Sequence, residues 1–90
     1  MNVYKQVLEV RPLQKIEIPI TKGSQDIVKV GLSQGKPCLW FLAQSCSKKV
    51  LVIHSYMTGE DIPDDIELEY LGNYKLLDAN ILVHVFGENQ

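Results

Sequence analysis

The sequence is poor in the residues that usually carry chemistry or fix a fold covalently. Its 90 residues include two cysteines, two histidines, one tryptophan and a single arginine, Arg11. Cys38 lies in an apolar run and Cys46 in a polar connection, and such a pair in a chain read as cytosolic is expected to be two free thiols rather than a disulfide. His54 and His84 are far apart in sequence, with no Cys or His at metal-ligand spacing and no strained nucleophile turn. Gly23, Gly31 and Gly35 form neither a dinucleotide fingerprint nor a phosphate loop. Lys15, Lys22, Lys29, Lys36, Lys48 and Lys49 are scattered over turns. With a sequence pI near 5.6, no nucleic-acid partner is expected. No apolar run approaches the roughly 20 residues that cross a bilayer. The start, MNVYKQVLEV, lacks a basic region followed by a long apolar one, so the reading is no secretory signal, no membrane association and a cytoplasmic location. No stretch of a dozen residues keeps a helical period.

What is present is alternation. KIEIPI places Ile16, Ile18 and Ile20 on one side, and DIVKVGLS does the same for Val28, Val30 and Leu32. KVLVIHSY alternates Val50, Val52, His54 and Tyr56 against Leu51, Ile53 and Ser55. DIELEYL alternates Ile66, Leu68 and Tyr70 against Glu67 and Glu69. NILVHVFG alternates Ile81, Val83 and Val85 against Leu82, His84 and Phe86. PCLWFLAQ is apolar on both sides and reads as a central strand covered on two faces. VYKQVLEV supplies the first strand. A period of two, rich in Val, Ile, Tyr and Phe, specifies β-strands. SQGKP, with Gly35 free to take a positive φ, is a tight hairpin turn. QSCSKK is a looser hairpin connection, and TKGSQ and LDAN separate further strands. The expected fold is one all-β domain over residues 1–90, a compact antiparallel sandwich or barrel of six to seven short strands with little or no helix. Its expected core contains Trp40 at the centre with Phe41, Val52 and Tyr70. A chain of this length buries only roughly 60–65% of its unfolded surface, so self-association would help it.

The net charge of −2 conceals a division. Met1 to Lys49 holds eight basic residues and three acids, and Val50 to Gln90 holds one base and eight acids. Interleaved strands are expected to mix these charges over the surface. The alternative is two faces of opposite sign, which favours self-association or a charged partner.

Six of the acids fall within YMTGEDIPDDIELE: Glu60, Asp61, Asp64, Asp65, Glu67 and Glu69. Calcium loops place oxygen ligands at alternate positions around a fixed glycine, and this spacing does not match. The segment reads instead as a shaped connection. Gly59 supplies an unusual backbone angle, Pro63 fixes the chain, Asp64 or Asp65 bonds nearby backbone N–H groups, and Ile62 plugs the core. Its six acids are the candidate interaction surface. No catalytic, cofactor-binding or metal-binding residue can be named.

PCLW (Pro37–Trp40), MTGEDIPDD (Met57–Asp65), EYLGNY (Glu69–Tyr74) and ILVHVFGE (Ile81–Glu88), in that order and spacing, resemble a family of small bacteriophage-encoded proteins. Those proteins carry a Gly-Thr-Gly-x-x-(Ile/Leu)-Pro-Asp-Asp segment, then a Tyr-(Leu/Ile)-Gly-Thr-like turn and an apolar last strand containing His. Met57 departs from the first Gly, Asn73 from the Thr, and Asp78-Ala79-Asn80 from a Gly-Gly pair. The resemblance implies a phage origin, a small β-rich fold, and anchoring of the central loop through Thr58, Gly59, Ile62, Pro63 and His84. It implies no activity.

The expected function is therefore non-enzymatic: an accessory protein that binds a host or phage protein, in one version countering a host defence. The alternatives are a self-assembling structural protein, as a homodimer or higher oligomer, and a small-molecule or nucleotide sponge. No cofactor is expected.

Overall fold

Alternating strands and glycine-containing turns fold the chain into seven antiparallel strands. The computed structural model describes residues 1–44, 48–76 and 78–88. The thiol reading of Cys46 and the centre of the QSCSKK connection fall outside these residues. The strands are β1 (Asn2–Val7), β2 (Leu13–Ile18), β3 (Ile27–Ser33), β4 (Lys36–Ala43), β5 (Lys49–Met57), β6 (Leu68–Leu76) and β7 (Ile81–Glu88). They form a three-stranded sheet of order β1-β4-β3 and a four-stranded sheet of order β2-β5-β7-β6. The inner faces of the two sheets pack as a small β-sandwich around Ile18, Ile20, Leu39, Leu51, Ile53 and Val85, each under 2% exposed. Each such side chain stabilises the fold by about 1.5–3 kcal/mol relative to exposure.

Local chemistry explains the connections. Gln34 (φ 52°) and Gly35 (φ 79°) both take left-handed angles between Ser33 and Lys36, the two-residue turn whose twist suits a hairpin. Where only a turn was expected, Gly23–Asp26 forms one 3₁₀ turn. The buried Asp26 carboxylate holds it by accepting hydrogen bonds from Thr21 N (3.0 Å) and Lys22 N (2.8 Å). Pro12 and Pro19 flank β2, where no ladder N–H is required.

Two β-bulges reverse the alternation and correct the expected core. Val28 is an extra residue between the Ile27–Phe41 and Lys29–Trp40 pairs, so it is exposed instead of sharing a face with Val30. Leu71 and Gly72 together oppose Val85. The shift turns Tyr70 outward, 50% exposed, while Tyr74 points inward at 3%. Phe41 is core as expected. Trp40 is not, because Leu39 and Phe41 take the inward positions of β4; Trp40 lies half-buried on the outer face, with Lys29 Nζ 5.1 Å from its ring centroid. Val52 is likewise half-buried on an outer face, paired with Lys15. Cys38 shares the outer side of β4 yet is 1% exposed. Lys5 reaches across β4 on that side to Ser33 Oγ (3.0 Å).

The expected mixing of charge fails for the three-stranded sheet. All three of its strands come from Asn2–Ala43, and they carry Lys5, Lys29 and Lys36 with no acid. The acids concentrate on and beside the other sheet.

The Tyr74 ring is buried and its hydroxyl has no hydrogen-bond partner among the described residues. Burial raises its pKa above the ordinary 10.0. The folded state therefore holds the phenolic proton where the unfolded state releases it. This stabilising difference is whole below the unfolded pKa and is lost as pH rises through the folded one. Tyr74→Phe is expected to raise stability at neutral pH by about 0.5–1 kcal/mol, because an unpaired buried hydroxyl is removed. It should also flatten the fall in stability above pH 10.0, and urea midpoints across that range measure both effects.

Candidate functional site

In the four-stranded sheet, residues directly opposite one another share a face. Tyr56 opposes His84, His54 opposes Phe86, Tyr70 opposes Phe86 and Asn73 opposes His84. These registers bring five rings from β5, β7 and β6 onto the outer face. His54 stacks on Tyr56 (6.4 Å between centroids), and Tyr56 meets Phe86 edge-on (5.9 Å). Phe86 meets Tyr70 edge-on (5.2 Å), and Tyr70 lies 5.9 Å from His84. Aromatic pairs at these separations are worth about 0.5–1.5 kcal/mol each beyond buried area. The rings are held as a ladder across three strands. Exposed Leu13, Val50 and Leu82 lie on the same side of the sheet.

Hydrogen bonds fix the ladder's polar ends. Asn73 Nδ2 donates to Tyr70 Oη at 2.8 Å. Tyr70 Oη lies 3.0 Å from His84 Nδ1, and His84 Nε2 lies 2.8 Å from Thr58 Oγ1. Asn73 fills an acceptor site of the phenol, so the simplest assignment has Tyr70 O–H donating to Nδ1 and the Nε2–H donating to Thr58. At the other end His54 Nε2 donates to Glu88 Oε2 at 3.0 Å.

The acidic segment runs beside this ladder. β5 ends next to the start of β7 (Met57 opposite Val83), whereas β6 begins next to its end (Leu68 opposite Glu88). Residues 58–67 must therefore travel the length of β7 and cross two strand spacings, about 20 Å. Ten extended residues reach about 33 Å, so the span is covered with slack. The inner side is filled by the other sheet, and the segment crosses on the outer side, where His84 grips Thr58. Its entry is a tight turn. Gly59 takes φ 98°, Glu60 N donates to Met57 O (3.0 Å), and Glu60 Oε1 accepts from Met57 N (2.7 Å). Thr58 N adds a bond to Leu82 O (3.2 Å).

The candidate residues thus separate into groups. Thr58, Gly59 and His84 meet in the anchored turn. Glu60 belongs to that turn rather than to a free surface. Asp61, Asp64, Asp65, Glu67 and Glu69 are exposed, and among the described residues none of them is in an ion pair. Ile62 does not plug the core. It is 39% exposed, Pro63 beside it is also exposed, and the half-buried Ile66 and Leu68 sit where the chain rejoins the sheet. Among the described residues no three of His, Cys, Asp or Glu converge. The ring ladder itself is the feature that reading the sequence missed. Its signal was the shared parity of His54 with Tyr56 and of His84 with Phe86.

A family model described as Domain of unknown function (DUF7352) matches the chain over residues 1–90. Neither a curated protein nor a solved structure matches it.

Proposed function

We propose, from the premise that the chain belongs to this domain family, that it is a non-enzymatic binding protein whose working surface is the ring ladder of the four-stranded sheet. The observation that carries the reading is the ladder of Tyr56, Phe86, Tyr70 and His84, backed by the buried His54, on the sheet face that the acidic segment crosses, whose carboxylates at residues 61–69 are in no ion pair among the described residues. Rigid amphipathic rings give contact area at low entropic cost and are enriched in protein interfaces. Ring faces and carboxylates both attract cations. The fitting partner is a protein surface presenting Lys or Arg. The resemblance to small phage proteins supports an accessory role toward a host or phage protein in the bacterial cytoplasm.

The test is differential capture. Wild-type protein, Tyr70→Ala, and an Asp61→Lys/Asp64→Lys variant are used as baits in infected cells, and retained proteins are quantified. A partner held by the wild type and reduced about tenfold or more by each variant supports the reading, since a central anchor is worth more than 1 kcal/mol. A partner retained equally by all three baits, or no enriched partner, rejects it.

A second reading, self-association through faces of opposite charge, is favoured by the acid-free three-stranded sheet. Light scattering that shows a salt-independent monomer at high concentration removes it.

A further inference from the structure

We propose that the open seam between β1 and β2 accepts an extended strand from a partner protein, a strand that alternates apolar with acidic side chains. This surface is separate from the ring ladder, and the inference does not depend on it.

The sandwich is closed on one side and open on the other. On the closed side β3 and β6 pack so tightly that a Cβ on Gly72 would lie 2.8 Å from Val30 Cβ. On the other side β1 and β2 are consecutive strands that do not pair. Among the described residues β1 pairs with β4 alone and β2 with β5 alone. Each presents an unpaired backbone edge, which is a template for a further strand. The ends of the seam are pinned. The Gln14 side chain clasps the Glu9 backbone through two bonds, Glu9 N to Oε1 (3.0 Å) and Nε2 to Glu9 O (2.8 Å). At the far end Gln44 N donates to Pro19 O (2.8 Å).

At the Gln14–Glu9 end of the seam lies a groove of about 350 Å³ whose walls include Gln6 and Val7 of β1 and Leu13, Gln14, Lys15 and Ile16 of β2. Successive side chains of a strand point to opposite faces. Four consecutive residues can line one groove only if the strand turns its edge toward it, so the backbone of β2 faces the opening. The seam also leaves inward positions uncovered. Tyr4 opposes Phe41 on the core side of its sheet and touches it edge-on at 6.4 Å. Phe41 is 3% exposed, but Tyr4 is 53% exposed. On the outer faces beside the groove, Val7 and Leu13 are also about half exposed. An inserted strand would pair backbone groups and cover these side chains together, which a globular surface or a small molecule cannot do.

Charge selects the kind of strand. β2 carries Lys15 on the wall of the groove, and β1 carries no acid, its Lys5 being turned across β4 to Ser33 Oγ. The nearby acids are already partnered, Glu9 with Arg11 (3.0 Å) and Glu17 with Lys48 (3.7 Å). Acidic side chains on the outward positions of the guest complement what remains, and apolar ones on its inward positions meet Tyr4 and Ile16. This is strand addition, in which main-chain bonds supply affinity and alternate side chains supply selectivity.

The experiment follows backbone amide resonances of the full chain during titration with three blocked peptides as long as β1. One alternates Val and Glu, one alternates Val and Lys, and one has the Val/Glu pattern with a central proline. The Val/Glu peptide is expected to shift the amides of residues 3–7 and 13–16 and slow their hydrogen exchange. The Val/Lys peptide should bind about tenfold more weakly, as expected when like charges face one another, and the proline peptide should leave the spectrum unchanged. A Lys15→Glu variant, checked for a native spectrum, should reverse the charge preference. No shift with the Val/Glu peptide overturns the proposal, as do shifts confined to β5, β6 and β7 or equal binding of both charges. So does a dimer in which β1 already pairs with β1 of a second copy. Shifts at residues 3–7 and 13–16 in a Tyr70→Ala background would show the seam working without the ring ladder.

Discussion

Gly72→Ala is expected to destabilise the protein by about 3 kcal/mol, combining overpacking with a strained backbone angle. Gly72 has φ 153° and lies in β6 within the bulge. A Cβ there would stand 2.8 Å from Val30 Cβ and 3.2 Å from Val30 Cγ2, with Val30 N at 3.5 Å. The obstacle begins at the root of the Val30 side chain. No rotamer change relieves it, and Val30→Ala leaves the closest atom in place. Either β3 or β6 must move. Gly87 provides the contrast. A Cβ there would meet Ser24 Oγ at 2.5 Å, but that hydroxyl ends a short rotatable side chain and has no hydrogen-bond partner among the described residues. Ser24→Gly should therefore recover most of the loss caused by Gly87→Ala, whereas Val30→Ala should recover little of that caused by Gly72→Ala. For a domain of this size the Gly72→Ala loss corresponds to about 15 °C in melting temperature. A shift of only about 2 °C would mean that the β3–β6 corner is loose. The effect reaches the ring ladder, because Tyr70 and Asn73 lie on β6 either side of this contact.

The strands were legible in the sequence because their alternation and their turn residues agree. Ser33-Gln34-Gly35-Lys36 reads as a hairpin and is one, with Gln34 accepting a left-handed angle that Gly35 alone was expected to need. The bulges were not legible from alternation alone. Tyr70 follows Ile66 and Leu68 in perfect period and was placed in the core. The extra residue before Gly72 sends Tyr70 outside and Tyr74 inside instead. An isolated glycine within a strand was the available cue. Trp40 was misplaced for another reason. β4 is apolar on both sides, and pattern cannot tell which side meets the second sheet. The division into sheets was also hidden, since β1 pairs with β4 over a long sequence separation. That sheet gathers Lys5, Lys29 and Lys36 with no acid. The acidic segment shows the same limit. Its turn chemistry at Gly59 was readable locally, but its passage over β7 follows only from the order β5-β7-β6. The ring ladder needs two registers at once, β5 with β7 and β7 with β6, so the pairing of residues far apart in sequence had to be known before it could be seen.

His84→Ala is expected to have the largest effect on the binding surface, at a cost in stability of about 1–2 kcal/mol. That cost reflects two side-chain hydrogen bonds of roughly 0.5–1.5 kcal/mol each, partly replaced by water. The His84 side chain joins the two halves of the surface. Its Nδ1 is 3.0 Å from Tyr70 Oη and its Nε2 is 2.8 Å from Thr58 Oγ1. Losing it frees Tyr70 to leave Phe86 and releases the entry of the acidic segment at once. The Glu60–Met57 turn bonds are local to the segment and should survive. The entry turn should therefore keep its shape but lose its place over β7. Faster hydrogen exchange is expected at Thr58, whose N–H bonds Leu82 O, with little change at Ile53 or Val85 in the core. Capture of a basic partner should fall by about tenfold or more, as expected for an anchor that positions others. His84→Gln separates the two functions. Glutamine can reach one neighbour but cannot bond Tyr70 and Thr58 from opposite sides of a ring. It should recover part of the melting temperature while leaving the partner poorly bound. An unchanged melting temperature in His84→Ala would show that the segment is held by other contacts. Full binding by His84→Gln would show that the ring ladder recognises its partner without the acidic crossover.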